Sequence, residues 1–115
     1  YLVYPQGNYI RPADSKPYLV IGEVKYGKPI LDRVITPKVS IGDASRCALI
    51  SMDSTLKSDL TVGPPIDFAV IKKDEIKIAS LKCLNMNDPE FSKVCNQWSQ
   101  GIFKIFDSFQ RFEWE

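Results

Sequence analysis

Two stretches of the chain carry hydrophobic residues at three- and four-residue steps, the spacing of an amphipathic helix. Ser40 and Asp43 match a Ser-x-x-Asp capping box, so a first helix is predicted from Ile41 to Leu56. Its stripe consists of Ile41, Ala44, Ser45, Ala48, Leu49, Met52 and Leu56. A second helix is predicted from Pro89, because proline suits the first helical position. Its stripe consists of Phe91, Val94, Cys95, Trp98, Ile102, Ile105, Phe106 and Phe109. Both stripes are predicted to pack into the core.

Between the two helices the pattern changes to the alternation of a strand. Ile66 to Ile71 alternates, and after the polar turn Lys72 to Glu75 the alternation resumes at Ile76. These features predict an antiparallel hairpin. Pro64 and Pro65 cannot donate ladder hydrogen bonds, so the first strand is expected to begin just after them.

The first third of the chain shows shorter signals. Two short strands or one hairpin are predicted at Tyr1 to Tyr4 and Asn8 to Arg11. Both runs are rich in aromatic and β-branched residues, and the residues between them are typical of a turn. Tyr18 to Gly22 is a compact apolar run that predicts a further strand. It leads through Gly22 and Glu23 to a short helix that Pro29 opens and that runs through Arg33. A turn of this kind can aim backbone N–H groups at a ligand, although many such turns bind nothing.

Size and charge exclude several classes of function. At 115 residues the chain has room for a single domain. No segment approaches the roughly 20 apolar residues that a membrane helix needs. Lys plus Arg number 15 against 14 Asp plus Glu, so the charge attraction that drives nucleic-acid binding is weak. Neither a membrane nor a nucleic acid is therefore expected as a partner.

Histidine and cysteine usage restricts the chemistry further. The chain has no histidine and no Cys-x-x-Cys pair, which excludes a structural zinc site and a histidine general base within it. Cys47, Cys83 and Cys95 are odd in number, and each lies in an apolar pattern. They are predicted to be buried, reduced thiols, which favours a cytoplasmic location.

Polar side chains concentrate at the junction between the first predicted helix and the loop after it, a stretch expected to pass through Ser54, Thr55, Ser58, Thr61 and Gly63. Together with Asp53 and Asp59, these hydroxyls could position a neighbouring amine, since a carboxylate accepts from an ammonium and hydroxyls relay protons. The same residues could equally cap a helix end and close the loop through local hydrogen bonds.

Four runs of the sequence resemble the Anbu family of bacterial proteasome-like peptidases. They are YLVIGEVKYGKPILDR at 18–33, CALISMDST at 47–55, VGPPID at 62–67 and the pair Gln97-Trp98. In that family the fold is an αββα sandwich, and the nucleophile is an N-terminal threonine whose own amino group is the base. The resemblance implies an α+β fold, the C-terminal half of such a sandwich. Because residue one is Tyr1, it also implies that the threonine belongs to an N-terminal half and that this chain alone is inactive.

The resemblance also implies partners. They are the N-terminal half of the same subunit, further copies in a ring or spiral, and a peptide or protein substrate, with no metal or organic cofactor. Asp53 stands where the family has an aspartate that holds the threonine's amino group, and its side chain is expected to point into a cavity. Ser58 and Thr61 both match the supporting serine, while Gly22 and Glu23 replace a Ser-Gly turn. The alternative is a non-catalytic module for assembly or peptide binding with the same half-sandwich fold.

Overall fold

The structure, a computed structural model, describes residues 1–115 and contains four strands and three helices. In chain order they are β1 (Leu2–Val3), β2 (Tyr9–Ile10), α1 (Lys28–Val34), α2 (Ile41–Ser58), β3 (Ile66–Ile71), β4 (Ile78–Leu84) and α3 (Pro89–Asp107). β1 pairs with β2 and β3 with β4, which gives two separate antiparallel sheets of two strands. This is the α+β arrangement predicted from the sequence, with both hairpins present.

The starts of the two long helices are confirmed, and side-chain caps set them. Ser40 Oγ accepts a hydrogen bond of 3.0 Å from the Asp43 amide at the start of α2. Asp88 Oδ1 accepts hydrogen bonds from the amides of Glu90 and Phe91 at the start of α3. Pro89, the first residue of the helix, has no backbone N–H and so leaves no donor unsatisfied there. In both places the side chain satisfies N–H groups that the helix leaves free.

A small core lies where α2, α3 and the β3–β4 hairpin meet. Ile66 and Leu84 are partners across the hairpin, and both pack with Phe91 and Cys95 of α3. Leu49, Met52, Leu56 and Phe68 pack against this cluster. Only 9 of 115 residues are buried, and the radius of gyration is 16.7 Å where a compact domain of this length has about 13 Å. Much apolar surface is therefore uncovered.

The predicted stripe of α3 is buried only in its first turns. Phe91 is 1% exposed, whereas Phe106 is 70% exposed, and Ile102, Ile105 and Phe109 are exposed as well. The prediction of continuous core packing is wrong because α2 ends at Ser58, which lies beside the middle of α3, so the last turns of α3 have no helix alongside. At the other end of the bundle, Ile41 is also exposed.

α2 runs to Ser58, two residues past its predicted end at Leu56, so Ser54, Thr55 and Ser58, which were also expected in the polar loop, are helical. Ser54 Oγ donates to the Ile50 carbonyl and Thr55 Oγ1 donates to the Ser51 carbonyl, each at 3.0 Å. These hydroxyls are satisfied within the helix, so they do not compete with it. The helix ends at Ser58, and the polar loop is confined to the residues that follow.

Tyr18 to Gly22 forms no strand, so this prediction is wrong. A strand needs a neighbouring strand for its backbone hydrogen bonds, and no strand of the chain pairs with this run. Side-chain bonds to α1 hold the run instead: the Tyr18 hydroxyl donates to Asp32 Oδ1, and Lys16 Nζ donates to the Asp32 carbonyl. The short helix predicted after it is confirmed.

Candidate functional site

The largest cavity is an open groove of about 590 Å³ between the 17–23 segment, α1 and one face of α2. Its lining is mostly apolar, with Leu31 and Ile35 from the α1 side and Met52 from α2. Small residues of α2 form the rest of that face: Ala44, Ala48, Ser51 and Thr55. Their spacing of four, three and four residues places them on one side of a helix. A face of small side chains permits close approach by another layer of structure.

Tyr18, which lines this groove, is held in place by Lys28 and Asp32 of α1. Lys28 Nζ lies 2.7 Å from Asp32 Oδ2 and 5.9 Å from the centre of the Tyr18 ring. The hydrogen bonds from Lys28 and then from Tyr18 hold the pKa of the Asp32 carboxyl below its usual value. Burial and the bond to Asp32 raise the pKa of Tyr18. The apolar run is therefore tied down at its start, while the rest of it faces the groove.

Gly22 and Glu23, two of the residues singled out from the sequence, both line this groove. Gly22 has φ of 77°, a left-handed conformation that glycine adopts without strain. Glu23 is half-buried, and its Oε1 accepts a hydrogen bond of 2.7 Å from the Lys25 amide. The predicted turn therefore exists, and it brings one carboxylate to the edge of the groove.

Gly27 and Ser51 are groove residues that the sequence reasoning missed, and Thr55 was singled out only as part of the polar loop. Gly27 is buried at the start of α1, and a Cβ there would overlap Ser51 Oγ and lie 3.1 Å from the Ser51 carbonyl oxygen. The same Cβ would lie 3.3 Å from Thr55 Oγ1. The regular spacing of small residues along α2 was the signal that could have found Ser51 and Thr55.

Asp53 projects from the other side of α2, toward α3. It is 2% exposed, and its Oδ2 accepts a hydrogen bond of 2.8 Å from Lys57 Nζ, which also donates to Ser99 Oγ of α3 at 3.3 Å. The Cys95 thiol lies near the same carboxylate, and burial followed by that negative charge raises the pKa of Cys95 to about 11. Asp53 lines a smaller pocket of about 360 Å³ between α2 and α3, on the side of α2 away from the large groove.

Ser58 and Thr61 do not line the groove that Gly22 and Glu23 face. Ser58 is exposed at the end of α2, on the same side as Asp53. Thr61 is exposed in the loop, where its amide and hydroxyl both donate to Asp59 Oδ1, at 2.9 and 2.6 Å. These two bonds hold the pKa of Asp59 below its usual value. The five predicted site residues therefore fall into three places, and only Gly22 and Glu23 face the large groove.

The cysteines differ from one another in exposure. Cys47 is buried with its thiol 3.8 Å from the Ile30 carbonyl, and Cys95 is buried beside Asp53, but Cys83 is exposed. The prediction was wrong for Cys83, because strand alternation turns it to the uncovered face of the hairpin. No three His, Cys, Asp or Glu side chains converge as metal ligands would. None of the helices has the length and hydropathy needed to cross a bilayer.

No protein-family model and no curated protein matches the chain. Solved structures of Anbu proteins do match. An Anbu from Yersinia bercovieri, described as an ancestral beta-subunit, has a TM-score of 0.92 and 40% identity, covering 96% of this chain and 47% of that chain. An Anbu from Hyphomicrobium sp. strain MC1 has a TM-score of 0.90 and 40% identity over 96% of this chain and 48% of that chain. Over almost its whole length, the chain is therefore similar to about half of an Anbu protein.

A further Anbu structure, described as a helical assembly from Pseudomonas aeruginosa, matches with a TM-score of 0.88 and 40% identity, over 96% of this chain and 46% of that chain. The chain thus spans about half the length of the Anbu structures it resembles. The family resemblance and the α+β class expected from the sequence are confirmed. Which half of an Anbu protein the chain represents, and the roles of the five site residues, stay predictions.

Proposed function

We propose that this chain supplies one wall of the active site in a proteasome-like, threonine-type peptidase subunit. The observation that carries the proposal is the open groove of about 590 Å³ in a chain that covers 48% of an Anbu protein. The remaining half of the subunit covers the groove and brings the N-terminal threonine, its amine serving as the base. The chain alone has neither group and is inactive as a peptidase.

The uncovered apolar run supports this arrangement. Val20 and Ile21 belong to a segment with strand composition but no strand partner, beside a face of α2 made of small residues. A strand from the other half would satisfy the backbone of this run, and its sheet would pack on that face. The fold would then become the full αββα sandwich.

Within that site, Gly22 and Glu23 would form a corner of the wall near the incoming amine. The Glu23 carboxylate is half-buried and would favour the protonated form of an amine placed beside it. Asp53 would act on the site indirectly, by fixing α2 against α3 through Lys57. Ser58 and Thr61 would close the loop at the end of α2.

We further propose that the assembled subunit associates with copies of itself, as the Pseudomonas aeruginosa Anbu does in its helical assembly. The substrate would be a peptide or protein, reached in the cytoplasm. No cofactor takes part in the proposed reaction.

Reconstitution tests the proposal. The chain is co-expressed with the half of the Yersinia bercovieri Anbu that it does not cover, and hydrolysis of fluorogenic peptides is measured. We expect turnover that resists serine- and cysteine-directed inhibitors only when both halves are present. Ala48→Trp, which fills the groove, should abolish it, whereas Ala69→Trp on the exposed side of β3 should not. Peptidase activity of the 115-residue chain alone would contradict the proposal.

A non-catalytic module is the second candidate, and the apolar lining of the groove favours it as much as it favours a wall. Such a module would bind peptides or a partner without turnover. If the two halves form a stable complex that binds peptides but does not cleave them, this second function replaces the first.

A further inference from the structure

A second groove lies on the opposite side of α2, bounded by the β3–β4 hairpin and the first turns of α3. It has a volume of about 470 Å³. Its apolar floor consists of Leu49, Phe68, Leu84, Phe91 and Val94. This floor adjoins the small core, so the groove is an open extension of it.

The rim of this groove is basic. Arg46, Lys82 and Lys93 stand around it, with Glu90 as the one carboxylate. Lys82 pairs with Glu90, and Arg46 pairs with Asp43, but both cations are largely exposed. Lys93 takes part in none of the ion pairs of the chain. Exposed pairs contribute about 0–1 kcal/mol each, so they can give way to an incoming acidic group.

The segment Phe112–Glu115, here named the aromatic segment, has the complementary character. Its sequence alternates aromatic and acidic residues, Phe-Glu-Trp-Glu. Phe112 and Trp114 are 65% and 79% exposed and stack only on each other, with ring centres 5.3 Å apart and planes 9° from parallel. In the structure the segment forms a turn, in which the Glu115 amide donates to the Phe112 carbonyl and the Glu115 carboxylate pairs with Arg111 at 3.2 Å. Docking would open this turn, and in an extended chain alternate residues point to the same side. Both rings would then face a floor while Glu113 and Glu115 face a rim.

We propose that the aromatic segment of one copy docks in the basic-rimmed groove of a second copy. The two rings would anchor on the apolar floor, as aromatic side chains do at interfaces. The two glutamates would approach Lys82, Lys93 and Arg46, which supplies specificity and orientation. The larger groove is not a suitable acceptor, because no lysine or arginine lines it.

The geometry of α3 excludes docking of the segment within its own chain. From Val94, the floor residue nearest the end of α3, to Ser108 the helix rises about 21 Å at ~1.5 Å per residue. An extended chain from Ser108 carries Phe112 at most about 14 Å. The two rings therefore cannot both reach the floor of their own groove, and a second copy must provide it.

A peptide-binding measurement tests the proposal. A fluorescein-labelled peptide with the sequence of residues 110–115 is titrated with the chain, and anisotropy is recorded at low and high salt. We expect saturable binding that weakens with salt. Replacing both aromatic residues of the peptide by alanine, or introducing Lys82→Glu with Lys93→Glu in the chain, should weaken binding at least tenfold. Lys72→Glu with Lys77→Glu, at the far end of the hairpin, is the matched control and should change little.

A reciprocal charge exchange separates contact from general charge effects. A peptide carrying Glu113→Lys and Glu115→Lys should recover binding to the Lys82→Glu, Lys93→Glu chain. In parallel, Phe112→Ala with Trp114→Ala should reduce self-association of the chain in sedimentation equilibrium. The proposal would be overturned if the peptide bound equally well to the Lys82→Glu, Lys93→Glu chain and to the Lys72→Glu, Lys77→Glu chain. It would also be overturned if the charge-reversed peptide failed to recover binding, or if the alanine changes left self-association unaffected. All these sites are exposed, so folding is not at risk.

Discussion

The two faces of α2 differ in what covers them. On one face, Leu49 and Leu56 pack toward the core and Asp53 is buried against α3. On the other face, Ala48 and Ser51 line a groove that no other part of the chain fills. One helix thus carries a face that is covered within the chain and a face that lines an open groove.

The difference between the faces is one of side-chain size rather than polarity. The covered face fills its space with leucine and a paired carboxylate, while the open face uses alanine and serine. Small side chains bury little area of their own, but they allow another backbone to come close. The open face is therefore informative about a partner, and the covered face about the stability of the chain.

The largest expected effect comes from the covered side. Phe91→Ala removes the most buried aromatic side chain, 1% exposed, and should lower the free energy of unfolding by about 3–5 kcal/mol. Phe106→Ala, on the uncovered end of the same helix, should change it by less than about 0.5 kcal/mol. Urea denaturation of both variants measures the contrast. Similar losses in the two would mean that the end of α3 is covered after all.

The next effect concerns the floor of the open groove. Gly27→Ala places a methyl group against Ser51 and forces α1 away from α2, so it should destabilise the chain by about 1–3 kcal/mol. Gly101→Ala is the control, because a Cβ there meets nothing and alanine favours helix by about 1 kcal/mol. Thermal melting should move in opposite directions for the two. A neutral Gly27→Ala would show that α1 and α2 are not closely packed.

A smaller effect tests the role of Asp53. Asp53→Asn removes the charge that Lys57 binds beside Cys95 and should cost about 1.5–2 kcal/mol, within the range for hydrogen bonds to charged groups. Glu75→Gln, in an exposed pair 3.8 Å long, should cost less than about 0.5 kcal/mol.

The reconstituted subunit separates the structural role of Asp53 from the catalytic one. Turnover per folded subunit should be unchanged by Asp53→Asn if its role is to hold α2 on α3. Loss of turnover without loss of stability would instead favour the role expected from the sequence.

The smallest effect is a dependence on alkaline pH. The pKa of Cys95 is raised to about 11, so the folded chain holds the thiol proton more tightly than the unfolded chain. The protonated Cys95 thiol therefore contributes its full share to the free energy of unfolding below pH ~9. This contribution is lost as the pH rises toward ~11, by at most about 1.4 kcal/mol per pH unit. Only Asp53 and Lys57 act on this thiol as charged groups.

Cys95→Ala should flatten the alkaline part of the stability profile, which urea denaturation at pH 8, 9 and 10 would record. Cys83→Ala, at the exposed thiol, should leave it unchanged. In thiol labelling of the unaltered chain, Cys83 should react first. If the free energy of unfolding fell equally with pH in the Cys95→Ala and Cys83→Ala variants, titration of Cys95 would not be the cause.

Local signals predicted much of this fold. The caps at Ser40 and Asp88 located two helix starts, and strict alternation located the β3–β4 hairpin. These features depend on hydrogen bonds within a few residues, which a sequence contains. Tyr18 to Gly22 could not be assigned in this way, because strand formation depends on a neighbouring strand and no strand of the chain pairs with this run.

The site was harder to predict than the fold. Asp53 lies four residues after Leu49 and three before Leu56, so helical periodicity places it on the covered face, whatever its charge. The cluster of hydroxyls drew attention to Ser54 and Ser58, but such groups bond readily to their own helix. In the sequence, the groove was indicated instead by small residues at helical spacing along α2, which carry no catalytic or binding group.

The central claim is that the open face of α2 contacts the other half of an Anbu subunit. Ala48→Cys in a Cys83→Ser background gives a thiol in the groove, and its rate of labelling is measured with and without that half. We expect labelling to slow at least tenfold in the complex, while Ala69→Cys on the hairpin remains reactive. An Ala48→Cys thiol that stays equally reactive in a complex shown to have formed would contradict the claim.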